Sequence, residues 1–218
     1  MFVGHFALGF AAKRVAPRTS LGTLLAAAQA LDLLWPALVL AGVERVRIAP
    51  GATAFTPLDF ESYPWSHSLL MAAVWALLCG GLYFALRRSW RGALVVGGLV
   101  ASHWLLDLLT HRPDLPLAPG GGPLYGLGLW YSIAGTYLVE LGLFAVGVTV
   151  YAAGSRPRDR VGVWALWSLV GLLLLVYLPG PFAPPPPSAP AIAGAGLGIW
   201  LFVFWGAWID RHRDWTWR

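Results

Sequence analysis

At residues 93–111 the chain reads ALVVGGLVASHWLLDLLTH, a long apolar run that a few polar side chains interrupt. Three of them, His103, Asp107 and His111, are spaced four residues apart. Residues i and i+4 lie on the same face of a helix, so these three form one polar stripe on an apolar surface. Ionisable groups at membrane depth cost about 2.5–3.5 kcal/mol each and usually mark a function. The stretch therefore predicts a membrane-buried helix whose polar stripe forms a binding site.

The composition of the whole chain is that of an integral membrane protein. Of its 218 residues, 58% are apolar and only 11% are charged, whereas soluble proteins carry about 25% charged residues. Several apolar runs approach the twenty or so residues needed to cross a bilayer. The sequence predicts an all-α, polytopic transmembrane helix bundle, folded as a single domain over residues 1–218. The predicted spans are residues 21–42, 68–86, 93–110, 127–153, 162–178 and 191–209.

A shorter apolar helix is predicted in front of the spans, at residues 2–12. At 1.5 Å per residue it is too short to cross a bilayer. Its positive charges, Lys13 and Arg14, follow the apolar run, whereas a secretory signal peptide places them before it. We expect this segment to be retained as a half-depth helix that carries His5.

The basic residues predict the orientation. Twelve of the fifteen fall on one side of the predicted spans, and the positive-inside rule makes that side cytoplasmic. The C-terminus is then cytoplasmic, and the loops that face outward are residues 43–66, 111–126 and 179–190. The net charge of +5 is explained by this topology and by contact with anionic membrane lipids, so no nucleic-acid partner is expected.

The polar residues inside the spans cluster at similar depths. Counted from the cytoplasmic ends, Asp32 and His103 lie about 15 Å into the membrane, and Asp107 and Glu140 about 21 Å. Imidazole and carboxylate ligands without thiolate suit zinc, manganese or iron. Seven possible ligands fall between mid-membrane and the outer surface: His5, Asp32, His67, His103, Asp107, His111 and Glu140.

These residues also have structural interpretations. A lone histidine or aspartate in a membrane is more often a helix–helix hydrogen-bonding partner than a ligand. His67 could be a residue at a helix start beside a serine cap, and Glu140 could pair with Gln29 or Tyr137. Asp59, in an outer loop, is expected to be solvated or to line an entrance. We favour a metal site because several such groups coincide.

The order of these residues resembles a known family. His5, Asp32, Ser66-His67-Ser68 and then Ser102-His103-x-x-x-Asp107 resemble the bacterial inner-membrane metal-dependent hydrolases, which include LexA-binding, inner-membrane-associated proteins. The stretch HRPDLP at 111–116, followed by GLGLW at 126–130, is similar to one branch of that family. The family is distantly similar to zinc-dependent phospholipase C and P1-type nuclease. The resemblance covers residues 1–145, a metal-site core, and residues 146–218 add transmembrane helices and a cytoplasmic tail.

The resemblance implies a ligand set and roles within it. Asp107 would be a bridging carboxylate, and Asp32 would also orient the attacking water. The relatives' later His-x-x-x-Glu pair is represented here only by Thr136-x-x-x-Glu140, so we expect one or two divalent ions. Zinc is expected first, with manganese or iron as alternatives. The implied metal ligands are His5, Asp32, His67, His103 and Asp107.

The leading hypothesis is a membrane-embedded, metal-dependent hydrolase of the bacterial inner membrane whose site opens toward the periplasm. By resemblance, it cleaves a phosphoester of a lipid-like or amphipathic substrate, with Asp32 and Glu140 as the catalytic residues. His111 is a possible additional ligand. Arg112, beside it, would pair with a substrate phosphate or anchor the helix at the interface.

Two other classes of function use the same residues. A metal or proton transporter needs access from both sides, which the apolar inner halves of the spans disfavour. A non-catalytic membrane scaffold is the third hypothesis. The sequence leaves the oligomeric state open.

Overall fold

A computed structural model describes residues 1–217. Within that range the chain is all-α, as predicted, apart from three short pairs of antiparallel strands. The pairs are β1 (Arg45–Ile48) with β2 (Leu58–Ser62), β3 (Leu115–Pro116) with β4 (Leu124–Tyr125), and β5 (Ser155–Pro157) with β6 (Arg213–Trp215). The helices are α1 (Val3–Ala12), α2 (Leu21–Ala28), α3 (Ala30–Leu40), α4 (Pro64–His67), α5 (Leu69–Arg87), α6 (Trp90–Thr110), α7 (Ile133–Gly154), α8 (Arg160–Tyr177), α9 (Ala189–Gly196) and α10 (Ile199–Arg211).

Five segments in the described range are long and apolar enough to cross a membrane. Each segment except α7 begins within about four residues of the start of its predicted span. The predicted span at 127–153 starts too early, because residues 129–131 form a 3₁₀ turn and α7 begins only at Ile133. Ser132 sets that start, since its hydroxyl accepts a hydrogen bond from Gly135 N at 3.0 Å and caps the helix. The five segments are Leu69–Arg87, Trp90–Thr110, Ile133–Gly154, Arg160–Phe182 and Ala189–Arg211.

The predicted first span, residues 21–42, is bent in the structure. Its two halves, α2 and α3, meet at Gln29 at an angle of 58°. Asp32 therefore stands in the first turn of a new helix, where the N-terminal partial charge favours a carboxylate.

Helix α1 is a core helix, because it is apolar on all sides and a helix of that kind is stable only when buried. Val3, Phe6 and Phe10 are completely buried. It packs against α2 and α7, and at Gly147 of α7 an added Cβ would lie 2.3 Å from the carbonyl oxygen of Ala7. This close approach brings the start of α1 to the centre of the bundle.

Two apolar clusters form the interior. One joins α1, α7, α8 and α10, the other joins α3, α5 and α6, and α2 contributes to both. His5 on α1 and Asp107 on α6 are in hydrogen-bond contact, so the polar site lies where the two clusters meet.

Candidate metal centre

Four ligand-type atoms from three helices form a closed ring. Asp32 on α3, His67 on α4, and His103 and Asp107 on α6 supply one atom each. His67 Nε2 lies 3.4 Å from Asp32 Oδ1 and 3.8 Å from Asp107 Oδ2. His103 Nε2 lies 3.7 Å from Asp32 Oδ1 and 3.2 Å from Asp107 Oδ2. A tetrahedral zinc ion with ligands at about 2.0–2.1 Å has ligand–ligand edges of about 3.3 Å, and these four edges lie near that value. The two carboxylates belong to different compact groups of possible ligands, Asp32 with His67 and His103, and Asp107 with His5 and His103.

His5 lies on the other side of Asp107. Its Nε2 is 3.0 Å from Asp107 Oδ1, and its ring stacks on that of His103 with centroids 3.6 Å apart. The amine of Met1 is 2.5 Å from the same Asp107 oxygen. The two oxygens of Asp107 therefore face different sets of groups, Oδ1 the ring of His5 and the amine of Met1, and Oδ2 the rings of His67 and His103.

His103 is oriented by a main-chain carbonyl. Its Nδ1 lies 2.8 Å from Ala28 O, so in the neutral ring Nδ1 carries the proton and donates it. The lone pair of Nε2 then points at the two carboxylates, and this buried atom has no hydrogen-bond partner within residues 1–217. Because the helix breaks at Gln29, the carbonyl of Ala28 is free to accept this bond. The bend thus orients a candidate ligand.

His67 is oriented by a buried carboxylate acting through a serine. His67 Nδ1 donates to Ser66 Oγ at 2.7 Å, and Ser66 Oγ donates to Glu44 Oε2 at 2.6 Å. Glu44 Oε1 accepts the backbone N–H groups of Trp65 and Ser66, both at 2.8 Å. Glu44 is only 1% exposed. His67 therefore has the same tautomer as His103, with the proton on Nδ1 and the lone pair of Nε2 facing the carboxylates.

The charge of the ring favours a cation. Within the described residues, the amine of Met1 is paired with Asp107, but neither Asp32 nor Asp107 forms an ion pair with a lysine or an arginine, so one fixed positive charge faces two carboxylates. Buried carboxylates are costly unless they are paired or bind a metal. The side chain of Asp107 is 2% exposed and that of Asp32 is 23% exposed, so Asp32 is the most exposed member of the ring.

Two groups of side chains are thus placed so that they could hold a metal ion. One group is His5, His103 and Asp107, and the other is Asp32, His67 and His103. All five ligands implied by the resemblance belong to them. The donor set of imidazole and carboxylate, and the unpartnered Nε2 of His103, fit a divalent ion.

Glu140 stands apart from the ring. Its Oε2 accepts the backbone N–H groups of Phe2 at 2.8 Å and of Gly4 at 3.3 Å. A carboxylate here satisfies free N–H groups and complements the positive end of α1. The structure thus places Glu140 where it holds the start of the helix that carries His5. Its predicted catalytic role rests on the sequence alone.

The alternative pairings proposed for Glu140 are wrong. Gln29 Nε2 donates instead to the carbonyl of Phe2 at 3.3 Å. The hydroxyl of Tyr137 donates to the carbonyl of Leu178 at 2.5 Å. Leu178 follows the last residue of α8, where main-chain carbonyls lack helical partners, whereas Phe2 is the N-cap of α1.

His111 belongs to a neighbouring network and lies outside both ligand groups. Its Nδ1 is 2.9 Å from Asp114 Oδ1, which also accepts the hydroxyl proton of Tyr63 at 2.8 Å. Burial lowers the pKa of His111, although the hydrogen bond to Asp114 opposes the shift. Burial, and then the charge of Asp114, raise the pKa of Tyr63 well above its usual value. At neutral pH His111 is therefore uncharged and Tyr63 keeps its proton.

Arg112 is held by two carboxylates. Its Nη2 donates to Asp59, and its Nε donates to Asp114 Oδ2 at 3.3 Å. Asp59 also pairs with Arg47 and is 8% exposed. The expectation of a solvated Asp59 is wrong, because two arginines compensate the cost of burying its charge. A substrate phosphate would have to compete with Asp59 and Asp114 for Arg112.

Glu44 is the residue of this site that the sequence analysis missed. It lies in an irregular segment between α3 and β1, without a periodic pattern around it. An acidic residue in such a segment is ordinarily solvated. Only the folded chain brings it to Ser66.

Comparison of the chain with family models, with curated proteins and with solved structures finds no match in any of the three. The resemblance drawn from the order of the ligands therefore stays a prediction, and the function has to be argued from the site.

Proposed function

We propose that this protein is a membrane-embedded, metal-dependent hydrolase. One divalent ion would be held by Asp32, His67, His103 and Asp107, and a second beside His5. The observation that carries the proposal is the buried ring in which two imidazole nitrogens alternate with two carboxylate oxygens. Zinc suits this donor set best, with manganese or iron as alternatives.

An ion bound in the ring supplies a Lewis acid that can activate water at neutral pH. Asp32 is suited to orient that water. Its Oδ1 faces the two histidines, while its Oδ2 has no hydrogen-bond partner within the described range. This second oxygen is free to accept a proton from a water that enters on the exposed side of Asp32.

The other side chains keep the site rigid. Ser66 and Glu44 hold His67 in one ring orientation, and the Ala28 carbonyl does the same for His103. Partners of this kind fix the tautomer and raise the basicity of a ligand. Glu140 acts indirectly, because it holds the start of α1, the helix that carries His5.

We propose a lipid-like or amphipathic substrate, because the ring lies inside a bundle of helices that could cross a membrane. The proposed bond is a phosphoester, an assignment that rests on the resemblance. The proposed location is the bacterial inner membrane, with the site opening outward and the C-terminus in the cytoplasm.

The transporter alternative lacks a polar path. Between His5 and Lys13 the helix α1 reads FALGFAA, and Phe6 and Phe10 of this stretch are completely buried. Water does not enter packed apolar contacts of this kind.

The test is hydrolysis by the detergent-purified protein. Phospholipids and a phosphodiester ester of p-nitrophenol are offered to protein stripped with a chelator and then reloaded with zinc or manganese. We expect hydrolysis that needs the ion and is lost in His103→Ala, whereas His212→Ala, outside both ligand groups, keeps it. Metal-loaded protein that cleaves none of these esters, or cleavage that survives both chelation and His103→Ala, would overturn the proposal.

A further inference from the structure

An apolar groove runs along the outside of the bundle, away from the metal centre. It lies between α2, α3, α5, α6 and α10 and has a volume of about 640 Å³. Its walls are mostly small and apolar side chains, among them Ala26, Leu33, Leu82 and Trp200. Along α5 it extends from Cys79 to Arg87, about 12 Å at the rise of a helix. Its shape and chemistry suit a hydrocarbon chain.

A basic cavity continues the groove at the end of α5. The two share Tyr83, Leu86 and Arg87, and the second cavity adds Arg18 and Arg88 to its lining. The three arginines are exposed. None of the three side chains forms an ion pair or a hydrogen bond with another described residue, in contrast to Arg112 and Arg213, which have protein partners.

We propose that the groove binds one anionic diacyl phospholipid, with its phosphate among Arg18, Arg87 and Arg88 and its hydrocarbon in the apolar part. Charge complementarity carries the assignment, because three unpaired guanidinium groups stand at the mouth of an apolar channel. Guanidinium groups bind phosphate oxygens in a bidentate manner. A free inorganic phosphate would leave the apolar groove unexplained, and an apolar helix would leave the three charges unexplained.

The site is separate from the metal centre. None of the five candidate metal ligands lines either cavity. On α6 the groove reaches Val96, about 10 Å along the helix axis from His103, and the three arginines lie beyond it. The inference therefore does not depend on the proposed hydrolase activity.

Arg91 provides a matched control, because it is exposed near the same end of the bundle but lines neither cavity. If the arginines act only through the general attraction of basic residues to anionic lipid, Arg91→Gln and the pair Arg87→Gln with Arg88→Gln will behave alike. A specific lipid site predicts that lipid binding changes in the double variant at Arg87 and Arg88 and stays unchanged in Arg91→Gln.

The experiment is native mass spectrometry of the protein released from nanodiscs. The nanodiscs contain equal amounts of phosphatidylglycerol and phosphatidylethanolamine with identical acyl chains. We expect one retained phosphatidylglycerol per chain, preferred over phosphatidylethanolamine by about tenfold or more. The double variant at Arg87 and Arg88 should lose this preference, and Arg91→Gln should keep it.

A second pair of variants tests the apolar part. Ala26→Phe fills the groove and should abolish lipid retention, whereas Ala145→Phe, on the exposed face of α7, should leave it intact. Unchanged thermal unfolding shows that the variants are folded. Equal retention of the two lipids by the native chain, or undiminished retention in the double variant or in Ala26→Phe, would overturn the proposal.

Discussion

Two aspartates in long apolar helices meet opposite kinds of neighbours. Asp210, on α10, is satisfied by the chain itself. Its Oδ2 lies 2.7 Å from Lys13 Nζ and accepts the N–H of Leu21 at 2.7 Å, and its Oδ1 accepts the Tyr151 hydroxyl at 3.3 Å. Asp107, on α6, faces three imidazoles, and its Oδ1 also pairs with the amine of Met1.

The difference separates a structural carboxylate from a candidate ligand. The partners of Asp210 are a fixed cation and two hydrogen-bond donors, so nothing further is needed to bury its charge. The imidazole Nε2 atoms near Asp107 present lone pairs as soon as Nδ1 carries the proton, as it does in His67 and His103. Lone pairs and carboxylate oxygens repel one another, and a divalent cation would turn the repulsion into binding.

The largest effect is expected from Lys13→Met, which leaves Asp210 buried without its cation. Removing one partner of a buried ion pair costs about 3–5 kcal/mol of stability. Unfolding in detergent measures the loss, and metal content should stay the same. The double variant Lys13→Met with Asp210→Asn should recover part of the loss, and no recovery would mean that the two residues do not act as a pair.

The second-largest effect is expected when zinc is added and the thermal unfolding temperature is measured. A ligand at about 100–1,000 times its Kd stabilises the folded state by about 2.7–4.1 kcal/mol. Zinc added to chelator-stripped protein should therefore raise the unfolding temperature of the native chain and of Asp210→Asn. Asp107→Asn should show no rise.

This response separates the two aspartates directly. A rise that persists in Asp107→Asn would place zinc elsewhere. A rise lost equally in both variants would mean that Asp210 also contributes to binding.

A smaller effect is predicted for Ser66→Ala, which cuts the connection between Glu44 and His67. Loss of such an outer partner lowers metal affinity by about 10–100-fold. Competition with a zinc indicator measures the affinity. Ser68→Ala is the matched control, since Ser68 flanks His67 on the other side, and equal affinities for the two variants would contradict the role of Ser66.

The smallest effect is expected on stability in Ser68→Ala. Ser68 Oγ accepts Met71 N at 3.2 Å and caps α5, and loss of a cap costs about 1 kcal/mol. Unfolding measures this cost. A drop in zinc affinity in this variant would show that the cap also positions His67.

Periodic patterns predicted most of the fold and the centre of the site. Apolar runs locate the helices, because each must bury or present to lipid a continuous apolar surface. His103 and Asp107 share a face of α6 because four residues separate them. Depth in the membrane placed His5, Asp32 and His67 among the possible ligands, and the resemblance then selected them as candidates.

The rest depends on contacts that no local pattern encodes. The bend at Gln29 lacks a glycine or proline signal, and it frees the carbonyl that orients His103. In the sequence Lys13 indicates only the topology, yet in the structure it is 6% exposed and pairs with Asp210, 197 positions away. Glu44 similarly acquires its role only when the chain folds.

The most direct test of the metal centre is elemental analysis of the detergent-purified protein beside His103→Ala, Asp107→Ala and Asp210→Asn. The account predicts about one or two equivalents of zinc, manganese or iron in the native chain and in Asp210→Asn, and loss of the metal in the other two variants. A native chain that holds none of these metals, even after incubation with them, would contradict the account and leave the ring as hydrogen-bonding contacts between helices.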